Sequence, residues 1–291
     1  DHATYTQQNN VIGTLNLLFA MREYAPETHL VKLGTMGEYG TPPIDIPEGF
    51  FDVEYNGKKA NLMFPKQPGS FYHASKVHDS HNIVLACRLW GLRSTDIMQG
   101  VVYGTRTNEV NAIESPDFAT RFDFDEVFGT VINRYCAEAI IGHDLSVYGK
   151  GGQTRGFIAL VDSIQCLTLA CNNPPAAGEY RVFNQLEGTY NVSDLAMLVQ
   201  KVARELGLNT KIRHVENPRK ESEEHYYKVE ARKLQGLGFK ATRTMYEEVK
   251  MMLDDLILHK DRIKQAESAI EQNITWKKGR APALTQKAGV A

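Results

Sequence analysis

The sequence predicts an α/β fold in which a parallel sheet is covered by helices. Three observations carry that expectation. Segments of helical and of strand character alternate over residues 11–98; the breaks between them hold Pro26, Gly34 and Gly91, residue types that end regular structure; and successive strands are separated by a whole helix. Strands joined through a helix lie parallel, with right-handed crossovers, because no tight hairpin can link them.

Residues 11–24 place apolar side chains at Val11, Ile12, Leu15, Leu18 and Phe19, one stripe of a helix, and Pro26 closes the segment. Residues 29–33 form a short β-favouring run, and Thr41-Pro42-Pro43 excludes a helix directly after it. Residues 44–70 read as loop, with a hairpin turn at Tyr55-Asn56-Gly57-Lys58, since Asn-Gly tolerates positive φ. A long helix over 71–90 ends at Gly91, and 92–98 is the next strand.

The middle is less regular. Residues 108–124 read as a surface insertion and 125–141 as an amphipathic helix carrying Val127, Phe128, Val131, Ile132 and Tyr135 on one side. Residues 145–148, 156–161 and 179–184 are predicted strands. Ser193 is the expected cap of a helix running to Leu206, with Gly207 as its stop. Thr244-Met245-Tyr246-Glu247 has capping-box spacing and opens a last helix towards His259. From Gly279 onward a disordered tail is expected.

Thirty-three basic against 35 acidic residues give a formal charge of −2. That balance leaves no electrostatic footprint for nucleic acid or an anionic membrane, so neither is an expected partner, and a bound anion must be gripped by local groups. The sequence has no apolar run of membrane-spanning length and no charged-then-apolar leader. Cys87, Cys136, Cys166 and Cys171 form neither a CxxC pair nor a Cys/His pattern, so no metal is expected, and free packing thiols fit a reducing cytosol. The chain opens on Asp1, with a helix pattern close behind and no strand before it, which reads as a chain cut inside a fold.

Tyr72-His73-Ala74-Ser75-Lys76 sets a phenol and an ammonium four residues apart on one helical face. The expected product is a base. The nearby cation favours the phenolate and lowers the tyrosine pKa, so the phenol can take a proton from a hydroxyl as hydride leaves the carbon. Spacing alone is weak evidence, because Tyr55/Lys59 and Tyr246/Lys250 share it. The first straddles an Asn-Gly turn; the second reads as a solvated charged face. Context favours Tyr72: one strand before it ends in Gly34-Thr35, whose hydroxyl could bond the reacting oxygen, and one after it in Gln99-Gly100-Val101-Val102-Tyr103-Gly104. In open α/β sheets ligands sit beyond the carboxyl ends of strands.

Gly34, Gly37 and Gly40 imitate a phosphate-binding GxxGxxG loop, but Pro42 and Pro43 follow where a helix must open. They are expected to let the backbone approach a ligand or to turn the chain. In the glycine-rich turn from Gly149 to Gly156, Arg155 either pairs with a diphosphate or is an exposed hairpin arginine, and Asn217-Pro218-Arg219 leaves the same two readings. His225-Tyr226-Tyr227 could line a sugar site or pack.

Thr35 with Tyr72-x-x-x-Lys76 is similar to the catalytic set of the extended short-chain dehydrogenases, and Asn9-Asn10-Val11-Ile12-Gly13-Thr14 resembles their helix-opening Asn-x-x-Gly-Thr segment. The strings at 29–40, 70–82, 99–104, 147–156 and 223–227 together resemble the UDP-sulfoquinovose synthase branch of that family, from about residue 3 to Trp276. The resemblance implies a Rossmann-like doubly wound parallel sheet with its N-terminal half-sheet missing, and a smaller α/β substrate-binding C-terminal domain. Residues 1–105 would be the remainder of the NAD-binding domain, with 156–192 partly returning to it, 106–278 mainly the UDP-sugar-binding domain, and 279–291 the tail. The absent piece, with the true glycine loop, would be on the order of 90 residues, and the chain alone would be inactive.

It further implies bound NAD, reduced and reoxidised in each cycle; UDP-glucose and sulfite, or a sulfite-donating protein, as partners; a homodimer; and a cytoplasmic site, or the plastid stroma in a plant. By motif position Thr35, Tyr72 and Lys76 would be catalytic. Asn10, Gly34, Gln99 and Val102, with Tyr72 and Lys76, would touch NAD; Thr130, Asn133, Ser146, Tyr148, Arg155 and Arg219 would hold the UDP-sugar. Dehydratases of this family carry Asp-Glu after the catalytic Thr, where this chain has Met36 and Gly37. An ordinary dehydratase mechanism is disfavoured, and His73 and Glu38 become the candidate acid and base, against ordinary packing roles. A UDP-sugar 4-epimerase or 4,6-dehydratase is the enzymatic alternative, and a catalytically inactive nucleotide sensor the non-enzymatic one.

Overall fold

A computed structural model describes residues 3–113, 120–125, 128–217 and 225–270. Val127, Arg219, Glu223, Glu224, Trp276 and the predicted tail lie outside them. Helix α1 (Ala3–Gln7) passes through a π-helical stretch (Gln8–Ile12) into α2 (Gly13–Tyr24), so the first helix reaches further back than its apolar stripe. Strand β1 (His29–Thr35) runs into a 3-10 turn (Met36–Glu38). The segment read as loop holds a hairpin, β2 (Phe50–Tyr55) and β3 (Lys58–Met63), with Asn56 at φ 49° and Gly57 at φ 73° in the turn as the Asn-Gly pair requires. Helix α3 (Phe71–Trp90) starts where the Ser70 hydroxyl accepts the His73 N–H at 3.2 Å and stops at Gly91, φ 70°.

After β4 (Arg93–Gln99) come β5 (Val101–Tyr103), α4 (Asn108–Ile113), α5 (Val131–Ile141), β6 (Leu145–Tyr148), β7 (Thr154–Ala159), α6 (Leu160–Asn172), β8 (Tyr180–Gln185), β9 (Gly188–Asn191), α7 (Val192–Glu205), β10 (Ile212–Val215), α8 (Lys233–Gly236), α9 (Met245–Ile257) and α10 (Lys260–Gln265). Helix α5 begins at Val131, later than its apolar pattern suggested, because the Thr130 side chain caps it. Helix α6 was hidden in the sequence. The apolar run from Phe157 to Val161 crosses the junction of β7 and α6 without a break, so it read as strand alone. Helix α7 is capped by Asn191 rather than Ser193: Asn191 Oδ1 accepts the Asp194 N–H at 2.8 Å, while the Ser193 hydroxyl donates to the Lys150 carbonyl. Thr244 and Glu247 form the expected capping box of α9.

The central sheet is parallel in the order β1-β4-β8, with His29 opposite Arg93, Thr35 opposite Gln99, and Gln99 opposite Gln185. Both of its faces are buried. Leu30, Met98 and Val182 pack against α2 and α3 with Leu18 and Ile83, while Val31, Ile97 and Phe183 pack on the other side with Ile158, Cys166 and Leu234. A separate cluster joins α5, α7 and α9 through Ile132, Tyr135, Val199 and Leu253. Cys87, Cys136 and Cys166 are buried free thiols, and burial pushes Cys87 up to about 11 and Cys166 to about 12, so they pack rather than react. Among the described residues no helix is long and apolar enough to cross a membrane, and no His/Cys/Asp/Glu group could hold a metal ion.

Candidate active site

The carboxyl ends of β1 and β4 lie side by side, and α3 brings its first turns to them. Thr35, the last residue of β1, accepts the Gly37 N–H on its hydroxyl at 3.1 Å. Tyr72 is 50% exposed, and the Lys76 ammonium stands 5.9 Å from its ring centroid while donating to the Leu33 carbonyl at 3.2 Å. Thr35, Tyr72 and Lys76 therefore lie together at one strand end. The expected electrostatics differ. Burial and then the Glu38 carboxylate push the Tyr72 phenol above its ordinary pKa, and Lys32 opposes them only in part. Lys76, turned to the Leu33 carbonyl, does not reverse that shift.

His73 packs beside Tyr72 with ring centroids 5.3 Å apart, and its Nδ1 lies 3.1 Å from the Ser70 hydroxyl. Its other edge fills the space at Gly37, where any Cβ would overlap the imidazole. The neighbouring glycines have similar duties: a Cβ at Gly34 would strike Asp96, and Gly40, at φ +67°, closely approaches the Gln67 carbonyl. With a 3-10 turn and two prolines following β1, these glycines serve packing and turning and form no dinucleotide loop. Asn10, in the π-helical stretch, donates to the Ser75 hydroxyl at 2.9 Å, and Ser75 donates to the Tyr72 carbonyl at 2.7 Å. Gln99 donates to Ser163 at 3.2 Å.

Val102, Thr130 and Asn133 meet in a cavity of about 170 Å³ whose walls include Tyr103, Arg121 and Phe128. Asn133 is buried; its Nδ2 donates to the Asp123 carbonyl at 3.0 Å, and its Oδ1 has no hydrogen-bond partner among the described residues. Ser146 and Tyr148 belong to another group. Ser146 bonds Glu138 through both its N–H and its hydroxyl, and the Arg134 guanidinium covers the Tyr148 ring at 4.0 Å. Arg155 forms a third group, donating to the Thr154 carbonyl at 2.8 Å with His225 Nε2 at 2.9 Å. Arg219 lies outside the described residues.

Sequence reading missed a buried charge cluster directly beneath Tyr72. Lys32 Nζ lies 3.0 Å from Glu38, 3.0 Å from Asp96, 2.6 Å from the Ser80 hydroxyl and 3.0 Å from the Lys76 carbonyl. Lys66 Nζ lies 2.5 Å from Glu38 and 2.8 Å from Ser80. Tyr180 donates to Asp96 at 2.6 Å. Glu38, a candidate acid or base from the sequence, is fully buried with each carboxylate oxygen bonded to an ammonium. Burial disfavours the Lys32 cation, but Asp96 and Glu38 outweigh it and hold its pKa above the usual value; burial likewise disfavours the Asp96 anion, and Lys32 and Lys66 hold it below. For Lys66 burial wins and the pKa falls. One signal was available. A lysine in the middle of the apolar run His29-Leu30-Val31-Lys32-Leu33 needs a buried anion, and Asp96 is its strand partner in register.

Residues 1–185 match the model of the NAD dependent epimerase/dehydratase family. The chain belongs to that family. Over 276 residues it is 52% identical to "UDP-sulfoquinovose synthase, chloroplastic" of Spinacia oleracea, a match covering 95% of this chain and 56% of that protein. Over 279 residues it is 52% identical to UDP-sulfoquinovose synthase of Sulfolobus acidocaldarius, covering 96% and 70%. The chain thus spans little more than half the length of the plant relative. Among solved structures it resembles UDP-glucose 4-epimerase of Thermotoga maritima, with a TM-score of 0.64 at 17% identity over 89% of this chain and 72% of that one. UDP-glucuronic acid 4-epimerase of Bacillus cereus, solved with UDP-glucuronic acid and NAD, gives 0.62 at 18% over 89% and 68%. These likenesses establish the family's Rossmann-like α/β fold.

The nicotinamide ribose of the family's NAD needs donors beside an open strand end, where the Lys76 ammonium and the half-exposed Tyr72 phenol could supply them. Its pyrophosphate needs a glycine loop opening into a helix, and the described residues contain none. The chain fits the reacting end of NAD.

Proposed function

We propose that the full-length protein acts as a UDP-sulfoquinovose synthase, converting UDP-glucose and sulfite to UDP-sulfoquinovose with NAD. The observation that carries this reading is the meeting of Thr35, Tyr72 and Lys76 at one strand end, where the two positions after Thr35 hold a buried Met36 and a Gly37 filled by the His73 ring instead of an acid pair. The 52% identity to two proteins of that name supports it. When bound, NAD would supply a hydride acceptor for the sugar C4 and a hydride source for the same carbon. Tyr72 takes the C4 hydroxyl proton, and Thr35 hydrogen-bonds the same oxygen. Burial and Glu38 raise the Tyr72 phenol even with Lys76 5.9 Å from its ring, so positive charge brought by a bound oxidised nicotinamide would favour the phenolate further. The 4-ketone acidifies the C5 proton, loss of the C6 hydroxyl leaves an alkene conjugated to the ketone, and sulfite adds at C6.

His73, wedged between Gly37 and Tyr72, is assigned the proton transfers of the elimination; Glu38, buried and doubly paired, is not. Asn10, Gly34, Gln99 and Val102 are assigned to NAD, and Thr130, Asn133, Ser146, Tyr148, Arg155 and Arg219 to the UDP-sugar. On this reading residues 1–105, with the return over 156–192, form the NAD side and 106–278 mainly the sugar side. The exposed apolar side chains Leu17, Phe19, Leu85 and Leu89 on α2 and α3 support a homodimer through those helices, which light scattering tests. The expected setting is the cytoplasm, or the plastid stroma in a plant.

With the full-length protein, NAD and UDP-glucose, sulfite should be consumed to give a UDP-6-sulfo-sugar without accumulation of NADH. Tyr72→Phe should cut turnover by about 10²–10⁴-fold while sparing UDP-glucose binding. Steady release of UDP-4-keto-6-deoxyglucose or UDP-galactose, with sulfite making no difference, would overturn the assignment in favour of a dehydratase or an epimerase.

A further inference from the structure

We infer that Lys32, Glu38, Lys66 and Asp96 act together as positioning residues for the Tyr72–Lys76 pair, a buried and charge-balanced cluster to which β1, the turn after Thr35, α3 and β4 are tied. The naming of Tyr72 as the base rests on the proposed function; the cluster itself rests on contacts. Lys32 lies three residues before Thr35 on β1, and Glu38 lies in the turn that follows Thr35. Asp96 lies three residues before Gln99 on β4, and Lys66 sits in the segment that leads into α3. Ser80 is two helical turns beyond Tyr72 on the same face of α3 and occupies the centre.

The bonding capacities fit that arrangement. Ser80 accepts from Lys32 at 2.6 Å and from Lys66 at 2.8 Å, using both lone pairs of its hydroxyl, and its one proton faces Glu38 at 2.9 Å and Asp96 at 2.8 Å. Lys32 Nζ also lies 3.0 Å from the Lys76 carbonyl, so its three N–H groups are shared among four acceptors and the first turns of α3 are held against β1. Two ammonium groups against two carboxylates leave no net charge in a site where the Glu38 and Asp96 side chains are fully buried. A buried ion cluster of this kind seldom adds net stability over a well-packed apolar one, because desolvation offsets the attraction. What an apolar replacement could not supply is a fixed field at the phenol. Tyr72 faces Glu38 from the 3-10 turn, Lys32 from β1, and His73 and Lys76 from its own helix, with Lys66 bonded to Glu38 and Asp96 bonded to Lys32.

The test uses the full-length protein with NAD bound, Tyr72 titrated through ¹³Cζ-tyrosine NMR and assigned by its loss in Tyr72→Phe. Glu38→Gln should lower the Tyr72 pKa and Lys32→Met should raise it, while each lowers kcat by roughly ten- to a hundredfold with little change in KM for UDP-glucose. Opposite shifts of one phenol that each accompany a loss of kcat at constant KM are what a loss of fold alone would not give. Should the single variants fail to fold, the double variant Lys66→Met/Glu38→Gln keeps the charge balanced; it should fold, titrate Tyr72 lower and turn over slowly. Parent-like titration and kcat in every folded variant, or a double variant that does not fold, overturns the inference by reducing the cluster to a structural one. The titration needs neither sugar nor sulfite, so a different product would sink the proposed function and leave this test standing.

Discussion

Tyr72/Lys76 and Tyr246/Lys250 have the same spacing and the same local setting: each tyrosine is the second residue of a helix, and each helix is capped by a hydroxyl, Ser70 on α3 and Thr244 on α9. Their surroundings share little. Tyr246 bonds Glu205 of α7, Lys201 stands 5.3 Å over its ring, and Lys250 pairs with the exposed Asp254 one turn along at 3.0 Å. Tyr72 instead stands over a buried charge cluster at the end of β1, and Lys76 reaches a strand carbonyl. Both phenols are raised, Tyr246 by its bond to the Glu205 carboxylate and Tyr72 by burial followed by Glu38. The spacing is thus a local property, while the chemistry belongs to what the helix is docked against.

The contrast is broken most directly by removing each ammonium. Lys76→Met should cut turnover of the full-length protein by about 10²–10⁴-fold, whereas Lys250→Met should leave steady-state rates unchanged; equal losses would erase the distinction. The anchoring of the two helices should differ almost as much. Asp96→Asn leaves two buried ammonium groups with one carboxylate and should cost about 3–5 kcal/mol in urea unfolding. Asp254→Asn, in an exposed one-turn pair, should cost only about 0.3–0.5 kcal/mol.

Acid sharpens the same point. The folded pKa of Asp96 is depressed, so its contribution is present above the unfolded value and is lost as pH falls through the folded one. Stability should therefore decline below about pH 4, and more steeply in the parent than in Asp96→Asn. Glu248, near α9's start, has the opposite sign. Burial raises it, with Arg243 only partly compensating, so its cost is absent below the unfolded value and grows as pH rises through the folded one. Thermal melts across pH of Glu248→Gln should lose that high-pH cost. The smallest effects are those of the caps: Ser70→Ala and Thr244→Ala should each cost about 1 kcal/mol, but only Ser70→Ala should also alter kcat, since Ser70 holds the His73 ring at 3.1 Å.

Elements marked by punctuation were readable from the chain. Gly91 ended α3 where a left-handed residue was expected, Asn56-Gly57 turned the hairpin, and Thr244 with Glu247 boxed α9. Where punctuation was absent or duplicated, reading failed: α6 had no break before it, and Asn191 took the cap that Ser193 was expected to supply two residues later.

The elements bounded by caps and turns, α3, the β2–β3 hairpin and α9, and the four-residue spacing of Tyr72 and Lys76 were determined by the sequence itself, because caps, turns and periodicity act over three or four residues. The pKa direction of Tyr72, the pairing of Glu38 and the meeting of Val102 with Thr130 and Asn133 were decided only in the tertiary structure. Lys32 and Asp96 are 64 residues apart and Lys66 and Glu38 are 28 apart, yet each pair lies within 3.0 Å once the strands and α3 are docked. A charge's effect depends on distance and on exclusion of water, and neither exists until the chain has folded.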